Sequence, residues 1–343
     1  MPVWNSNGFG GALPNAFDQV ELLDALINCI TGITPPSQGT LPVEQRWTVL
    51  RQEIIDDDEK RVFLKGQGLS GTDNIFINIR TYRGTLNLRN WEIKYATAYS
   101  PTAGFYDQPG TPPNKQSAIF TLRNIEMPFR IIANGRRFII LPKIVASYFA
   151  AYCGLYLPFA TPTEFPYPVM VAANAFEYNA YSGNNDYRIG NFYDGPLRYS
   201  TSTSDNRAAS CFWVRRIDGT HLPGGRYTGP IYSSTGSRPT TQHGTSGALI
   251  HPWDYDTGTT GGSSYDQFDH GYYSSPTGLY PVLPGIIWTQ KDPSMIFGEL
   301  DGVFYTSTGN RTTESTLTVD GATYYGIHNT YRDNEVNVLF KLE

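Results

Sequence analysis

The sequence predicts a mainly β protein: a β-sandwich-like lobe plus an N-terminal α+β layer, in which one helix lies on an antiparallel meander. Three observations predict it. Short runs rich in Val, Ile, Tyr and Phe recur with strand alternation. The 34 glycines and 24 prolines are spread along the chain rather than pooled in a linker. Helical periodicity is strongest in one segment near the start.

That segment is Ala16 to Ile30, where Phe17, Val20, Leu23, Ile27 and Ile30 recur at helical spacing. Asn15 is placed to cap its start with Asp18 in the first turn, and Gly32 followed by Pro35-Pro36 stops it. Four strand-like runs follow: "RWTVLRQEI", "KRVFLKGQG", "NIFINIRTYR" and "NWEIKYATAY". Ile75, Ile77 and Ile79 alternate with Asn74, Asn78 and Arg80, and the acidic group Asp56 to Glu59 reads as a solvated turn. Helix and meander make a first unit, residues 1–112, ending in the Pro-rich connector "YDQPGTPPNKQ".

The second unit, 113–343, is β-rich. It opens with a strand from Ala118 and continues with "FRIIANGRRFIIL", where Asn134-Gly135 signals a two-residue type I′ turn. That turn sets Ala133 opposite Arg136, Ile131 opposite Phe138 and Phe129 opposite Ile140, a dry face. The other face pairs Ile132 with Arg137 and Arg130 with Ile139, and would accept a partly buried contact. Lys143 to Cys153 fits helix and strand periods nearly equally, and its Tyr and Phe density with flanking prolines favours strand. Residues 200–281 are almost all turn chemistry, long Gly/Ser/Tyr-rich loops. "GVFYTSTG", "STLTVDGATYYGIH" with an Asp320-Gly321 turn, and "EVNVLFKLE" close the chain as strands.

Charge excludes some classes. With 26 Lys and Arg against 31 Asp and Glu, the net charge is −5, and no basic excess supports general nucleic-acid binding. Charged residues are 17% of the chain, below the ~25% of ordinary soluble domains. Cys29, Cys153 and Cys211 lie far apart without a CxxC, which suits reduced thiols. "MPVWNSNGFGGALPN" lacks the basic and apolar regions of a secretory signal, so synthesis and assembly in a cytoplasm are expected. Phe138 to Ala160 carries Lys143 as its single charge, but Pro142, Pro158, Gly154 and three tyrosines argue for buried strand over a membrane span.

No catalytic, cofactor-binding or metal-binding residue is assigned. "GTSGALIHP" resembles a protease nucleophile turn at Ser246, yet His221 and His243 lie too near it for that fold. The Asp254 to His270 loop departs from an EF-hand where the ligands should be. Glu299 and Asp301 are alternate residues, with Asp301-Gly302 read as a turn, rather than a glycosidase pair.

Three segments carry a resemblance: "IIANGRRFIILPKIVASYFAAYCGLYLPFATPTEFPYPV", "FLKGQGLSGTDNIFINIRTYR" and the C-terminal "LYPVLPGIIW" with "FGELDGVFYTSTGNRTTESTLTVDGATYYGIHNTYR". They resemble virion structural proteins of tailed bacteriophages, from about Arg61 to Arg332, most weakly in the loops. The resemblance implies a tail, neck or baseplate component and supplies no catalytic residues. The expectation is therefore a chain that assembles with copies of itself and with adjoining virion proteins. Arg136, Arg137, Ile132 and Ile139 are the candidate interface. The alternative is a receptor- or glycan-binding tail appendage, with Trp253, Tyr255, Tyr272 and Tyr273 as candidate sugar contacts.

Overall fold

The structure, a computed structural model, describes residues 2–33, 38–84, 88–113, 116–174, 192, 212–224, 249–251, 282–289, 295–307, 313–328 and 336–342. The protein is mainly β, with one α-helix among the described residues. In chain order, β1 (Val3–Asn5) precedes α1 (Gln19–Thr31). Next come β2 (Thr48–Ile54), β3 (Lys60–Gln67), β4 (Asn74–Arg83), β5 (Leu88–Ala96) and β6 (Ala118–Arg123). Then follow β7 (Phe129–Ala133), β8 (Arg137–Ile144), β9 (Ser147–Tyr148), β10 (Ala151–Leu155), β11 (Leu157–Pro158) and β12 (Val169–Ala172). After these are β13 (Phe212–Arg215), β14 (His221–Gly224), β15 (Leu249–His251) and β16 (Leu283–Thr289). The last are β17 (Met295–Ser307), β18 (Ser315–Val319), β19 (Ala322–His328) and β20 (Val336–Lys341).

These strands build three sheets. The N-terminal sheet is β2-β3-β4-β5-β6, the middle sheet runs β1-β7-β8-β10-β12-β13-β14 with β9 on β8, and the C-terminal sheet runs β15-β16-β17-β20-β19-β18 with β11 on β17. Alternation along the middle strands decides the stacking. Ile131, Ile140, Cys153 and Val171 join a core with the N-terminal sheet and α1, where Ile77, Trp91 and Leu23 also lie. Their neighbours Ile132, Ile139, Tyr152 and Met170 join a second core with Ile287, Val303, Tyr325 and Phe340 of the C-terminal sheet. A sheet buried on both faces reads as an unbroken apolar run, which is why 138–160 is so greasy. The chain itself shields most of that run, with Val145 and Phe159 left exposed.

The helix starts three residues later than its periodicity suggests. Asp18, not Asn15, is the N-cap, its carboxylate accepting from Val20 and Glu21 N–H at 2.8 Å each, an arrangement worth about 1 kcal/mol. Gly32 ends it at φ 85°. The buried stripe is Leu22, Leu23, Leu26, Ile27 and Ile30, while Phe17 lies outside the helix and is exposed.

The division at 112/113 does not hold. β6 pairs with β5 from Leu88↔Arg123 to Ile93↔Ala118, making the meander five-stranded. β1 leaves the N-terminal region to pair with β7. The first core therefore draws on residues from both sides of the expected boundary.

The Asn134-Gly135 turn is also displaced. Asn134 N–H donates to Arg137 O at 2.9 Å, so Gly135 and Arg136 are the central residues, with Ala133↔Phe138 and Ile131↔Ile140 in register. Neither Asn134 nor Gly135 has positive φ. Asn134 instead caps the turn, its Oδ1 accepting from Arg136 and Arg137 N–H at 2.9 Å each. Gly135 sits at a close approach: a Cβ there would lie 2.4 Å from Gln67 Oε1 and 3.0 Å from the Gln45 Cα. The slip moves each partner by two residues, so every side chain keeps its expected face. By contrast Asp320-Gly321 is a two-residue turn of the expected kind, with φ 49° and 78° between Val319 and Ala322.

Candidate functional site

Of the four expected interface residues, Ile132, Ile139 and Arg137 are completely buried inside the chain. Their face is covered by the C-terminal sheet, so it is not available to another subunit. Arg136 alone stays partly exposed, at the hairpin tip. Trp253, Tyr255, Tyr272 and Tyr273 lie outside the described residues, as do Ser246 and the Asp254 to His270 loop.

Arg137 forms a clamp between layers. Its Nε lies 3.4 Å from Asp301 Oδ2, and its guanidinium donates to Ile132 O at 3.2 Å. Asn134 Nδ2 donates to the same carboxylate oxygen at 2.8 Å, and Asp301 N–H reaches the Tyr152 hydroxyl at 3.3 Å. Asp301-Gly302 is not a turn. It is an irregularity within β17, where pairing with β16 shifts register and Gly302 takes φ 81°. Such bulges re-aim side chains, and this one turns Asp301 toward Arg137. A Cβ on Gly302 would sit 2.4 Å from the guanidinium. Asp301 is thereby committed to an ion pair, and Glu299 pairs with Leu157 in β11.

The outward face of the N-terminal sheet holds most of the remaining chemistry. Glu59 binds Arg80 and Arg61, which hold its carboxyl below the usual range, the Arg80 hydrogen bond being the largest cause. Glu92, with no exposed surface, accepts from the Tyr106 hydroxyl at 2.8 Å and the Ser117 hydroxyl at 2.7 Å, with Arg80 at 3.4 Å. Of the acidic turn expected to be solvated, Asp56 and Asp57 are exposed, whereas Glu59 is tied in and Asp58 pairs with Arg89. His221 shares a 2.8 Å hydrogen bond with the Tyr95 hydroxyl across two sheets, and burial lowers its pKa. Cys29 and Cys153 are buried, and burial pushes the Cys153 thiol up. Among the described residues no group of three His, Cys, Asp or Glu is placed to hold a metal ion.

Beside this face lies a cleft of about 430 Å³. Its rings are Phe76, Tyr99 and Tyr167, with Lys65, Asp73 and Asn74 as polar partners. The sheet explains the placement. Phe76 points outward because Ile75 and Ile77 point into the core, and β5 delivers Tyr99 just past its end. Tyr99 stacks on Phe76 at 22° and 6.4 Å and meets Phe63 edge-on at 6.1 Å. The Arg51 guanidinium, 3.9 Å above Phe63 and bound to Ala103 O at 2.7 Å, backs the group. The β3–β4 turn fixes Asp73, whose N–H donates to Ser70 Oγ at 3.1 Å. Pre-set rings with a few convergent polar groups suit a flat polar ligand. Sequence reading missed this cleft because Tyr99 and Tyr167 stand 68 positions apart. Compared with protein-family models and with curated proteins, the chain matches none.

Proposed function

We propose that this chain is a structural virion protein of a tailed bacteriophage that assembles with copies of itself and with adjoining tail, neck or baseplate proteins. The resemblance of its ordered segments supplies the class. The observation that carries assembly is the surface aliphatic content near the open edge of the N-terminal sheet. Among the described residues β2 has a strand partner on one side only, and Ile54, at its end, is 74% exposed with Ile55 beside it at 52%. A register shift between Val49 and Arg51 and the Arg51–Glu53 pair blunt the middle of this edge, so the contact offered to a second chain is its apolar Ile54–Ile55 end. The partner is taken to be a neighbouring copy. Mass spectrometry of density-purified particles tests the reading: peptides of this chain at stoichiometric level support it, and their absence from the particle refutes it.

The Tyr99–Tyr167 cleft favours a second reading, a glycan-binding appendage. Rings of this kind stack on sugar faces while Lys65, Asp73 and Asn74 take the hydroxyls. Under that reading the purified chain binds host-envelope polysaccharide, and Tyr99→Ala with Tyr167→Ala abolishes the binding. A chain that binds none refutes this second reading.

A further inference from the structure

The outward face of the N-terminal sheet buries an amine, an amide and a carboxylate side by side. Asn78 on β4 and Lys94 on β5 are direct register partners, and Arg80 with Glu92 is the next pair along the same face. Lys94 and Glu92 have no exposed surface, and Asn78 retains 1%. Neither amide atom of Asn78 has a hydrogen-bond partner among the described residues. A buried polar group left unpaired costs about 1–3 kcal/mol, and proteins seldom retain two on one side chain.

We propose that Lys94 and Asn78 are joined by an intramolecular isopeptide bond, with Glu92 carrying the protons. Facing residues on antiparallel strands hold their Cβ atoms about 5 Å apart, within the span of a lysine stem. Glu92 lies diagonal to Asn78, held by the Tyr106 and Ser117 hydroxyls on its two oxygens. The Tyr106 ring also covers Lys94, with Nζ 5.3 Å from its centroid. Burial lowers the Lys94 pKa to about 8, which leaves about a tenth of it as neutral amine at neutral pH, far more than an ordinary lysine.

The chemistry balances without an oxidant or cofactor. The neutral Nζ attacks Asn78 Cγ, and the Nζ–Cγ bond forms. Glu92 takes a proton from Nζ and delivers it to Nδ2. The Cγ–Nδ2 bond then breaks and ammonia leaves, so one amide replaces another. The unpaired NH₂ of Asn78 is removed, and the buried amine becomes an uncharged amide N–H. The bond locks β4 to β5 at the centre of the sheet. It does not depend on the virion reading, because a chain that never assembles can still carry it.

Intact-mass spectrometry of the full chain decides the matter. The cross-linked protein weighs about 17 Da less than its encoded mass, the mass of the lost ammonia. A tryptic digest then yields one branched species joining the peptide that ends at Arg80 to the peptide that begins at Asn90. Asn78→Ala and Lys94→Arg restore the encoded mass, and Glu92→Gln leaves most of the chain unlinked. If a variant fails to fold, the wild-type digest is sufficient by itself. Wild-type protein at its encoded mass, with Lys94 cleaved by trypsin and no branched peptide, overturns the proposal.

Discussion

Asp301→Ala is the most informative single change. Arg137 is fully buried, and its charge is balanced by Asp301, whose side chain is 17% exposed. Removing the carboxylate leaves a buried guanidinium without its Asp301 partner, with the Ile132 carbonyl still in place. Breaking one partner of a buried pair costs about 3–5 kcal/mol. The 3.4 Å separation and the partial hydration of Asp301 place this case near the low end, at about 3 kcal/mol. Arg137→Met removes the charge and keeps much of the volume, leaving Asp301 with Asn134 and nearby water, so it should cost about 1–2 kcal/mol. The double variant should then be more stable than Asp301→Ala alone, because the buried cation is removed together with its Asp301 partner. Urea unfolding followed by tryptophan fluorescence measures all four corners of the cycle. A coupling energy below about 0.5 kcal/mol would show that the two side chains act independently and that the clamp does not join the layers.

Three further outcomes follow from local geometry. Val145, at φ 58° and 80% exposed in the β8–β9 turn, is a β-branched residue in the left-handed region. Val145→Gly should therefore stabilise by about 1 kcal/mol, read as a small rise in Tm, and a fall would contradict the strain. Gly154 has φ 137° and no room, a Cβ lying 2.3 Å from Arg136 O, whereas Gly321 has φ 78° and open space. Gly154→Ala should cost several-fold more than Gly321→Ala, which costs about 1 kcal/mol, and equal melting temperatures would refute the crowding. Glu59 has its folded pKa lowered, chiefly by Arg80. Its contribution is full above the unfolded carboxyl value of about 4.3 and disappears as pH falls through the lower folded value. Glu59→Gln should flatten the acid limb of a stability–pH curve, and superimposable acid limbs would remove the ion pair from the account.

The β class, the helix and most strands were legible because period and turn chemistry are local. Ser315 to His328 is a clear case: the sequence marks both strands, and Asp320-Gly321 supplies the positive φ angles the turn needs. Asn134-Gly135 carries the same signal and fails because tertiary contacts override it. Gln67 N–H donates to Gly135 O at 2.7 Å, and the Trp47 indole donates to Asn134 O at 2.9 Å, fixing the tip against the N-terminal sheet. The interface expectation at Ile132, Ile139 and Arg137 failed for a related reason. Periodicity shows that two faces exist, but only the fold shows that the C-terminal sheet, more than 100 residues later, covers the second. The Tyr99–Tyr167 cleft and the Asn78–Lys94 pair were invisible because each depends on which strands become neighbours. The alternation of Asn78 with Ile77 and Ile79 was legible, and the two isoleucines do face the first core. What it could not reveal is that Tyr106 and Ser117, beyond the end of β5, fold back over that face at Glu92 and Lys94.

A density map of the intact particle tests the central proposal most directly. The account predicts this chain in repeated copies, with Ile54 and the β2 edge covered by a neighbouring subunit and Ile132 and Ile139 covered by the chain's own C-terminal sheet. A map that accounts for every ordered subunit without this fold, or that holds it with the β2 edge bare to solvent, would contradict it.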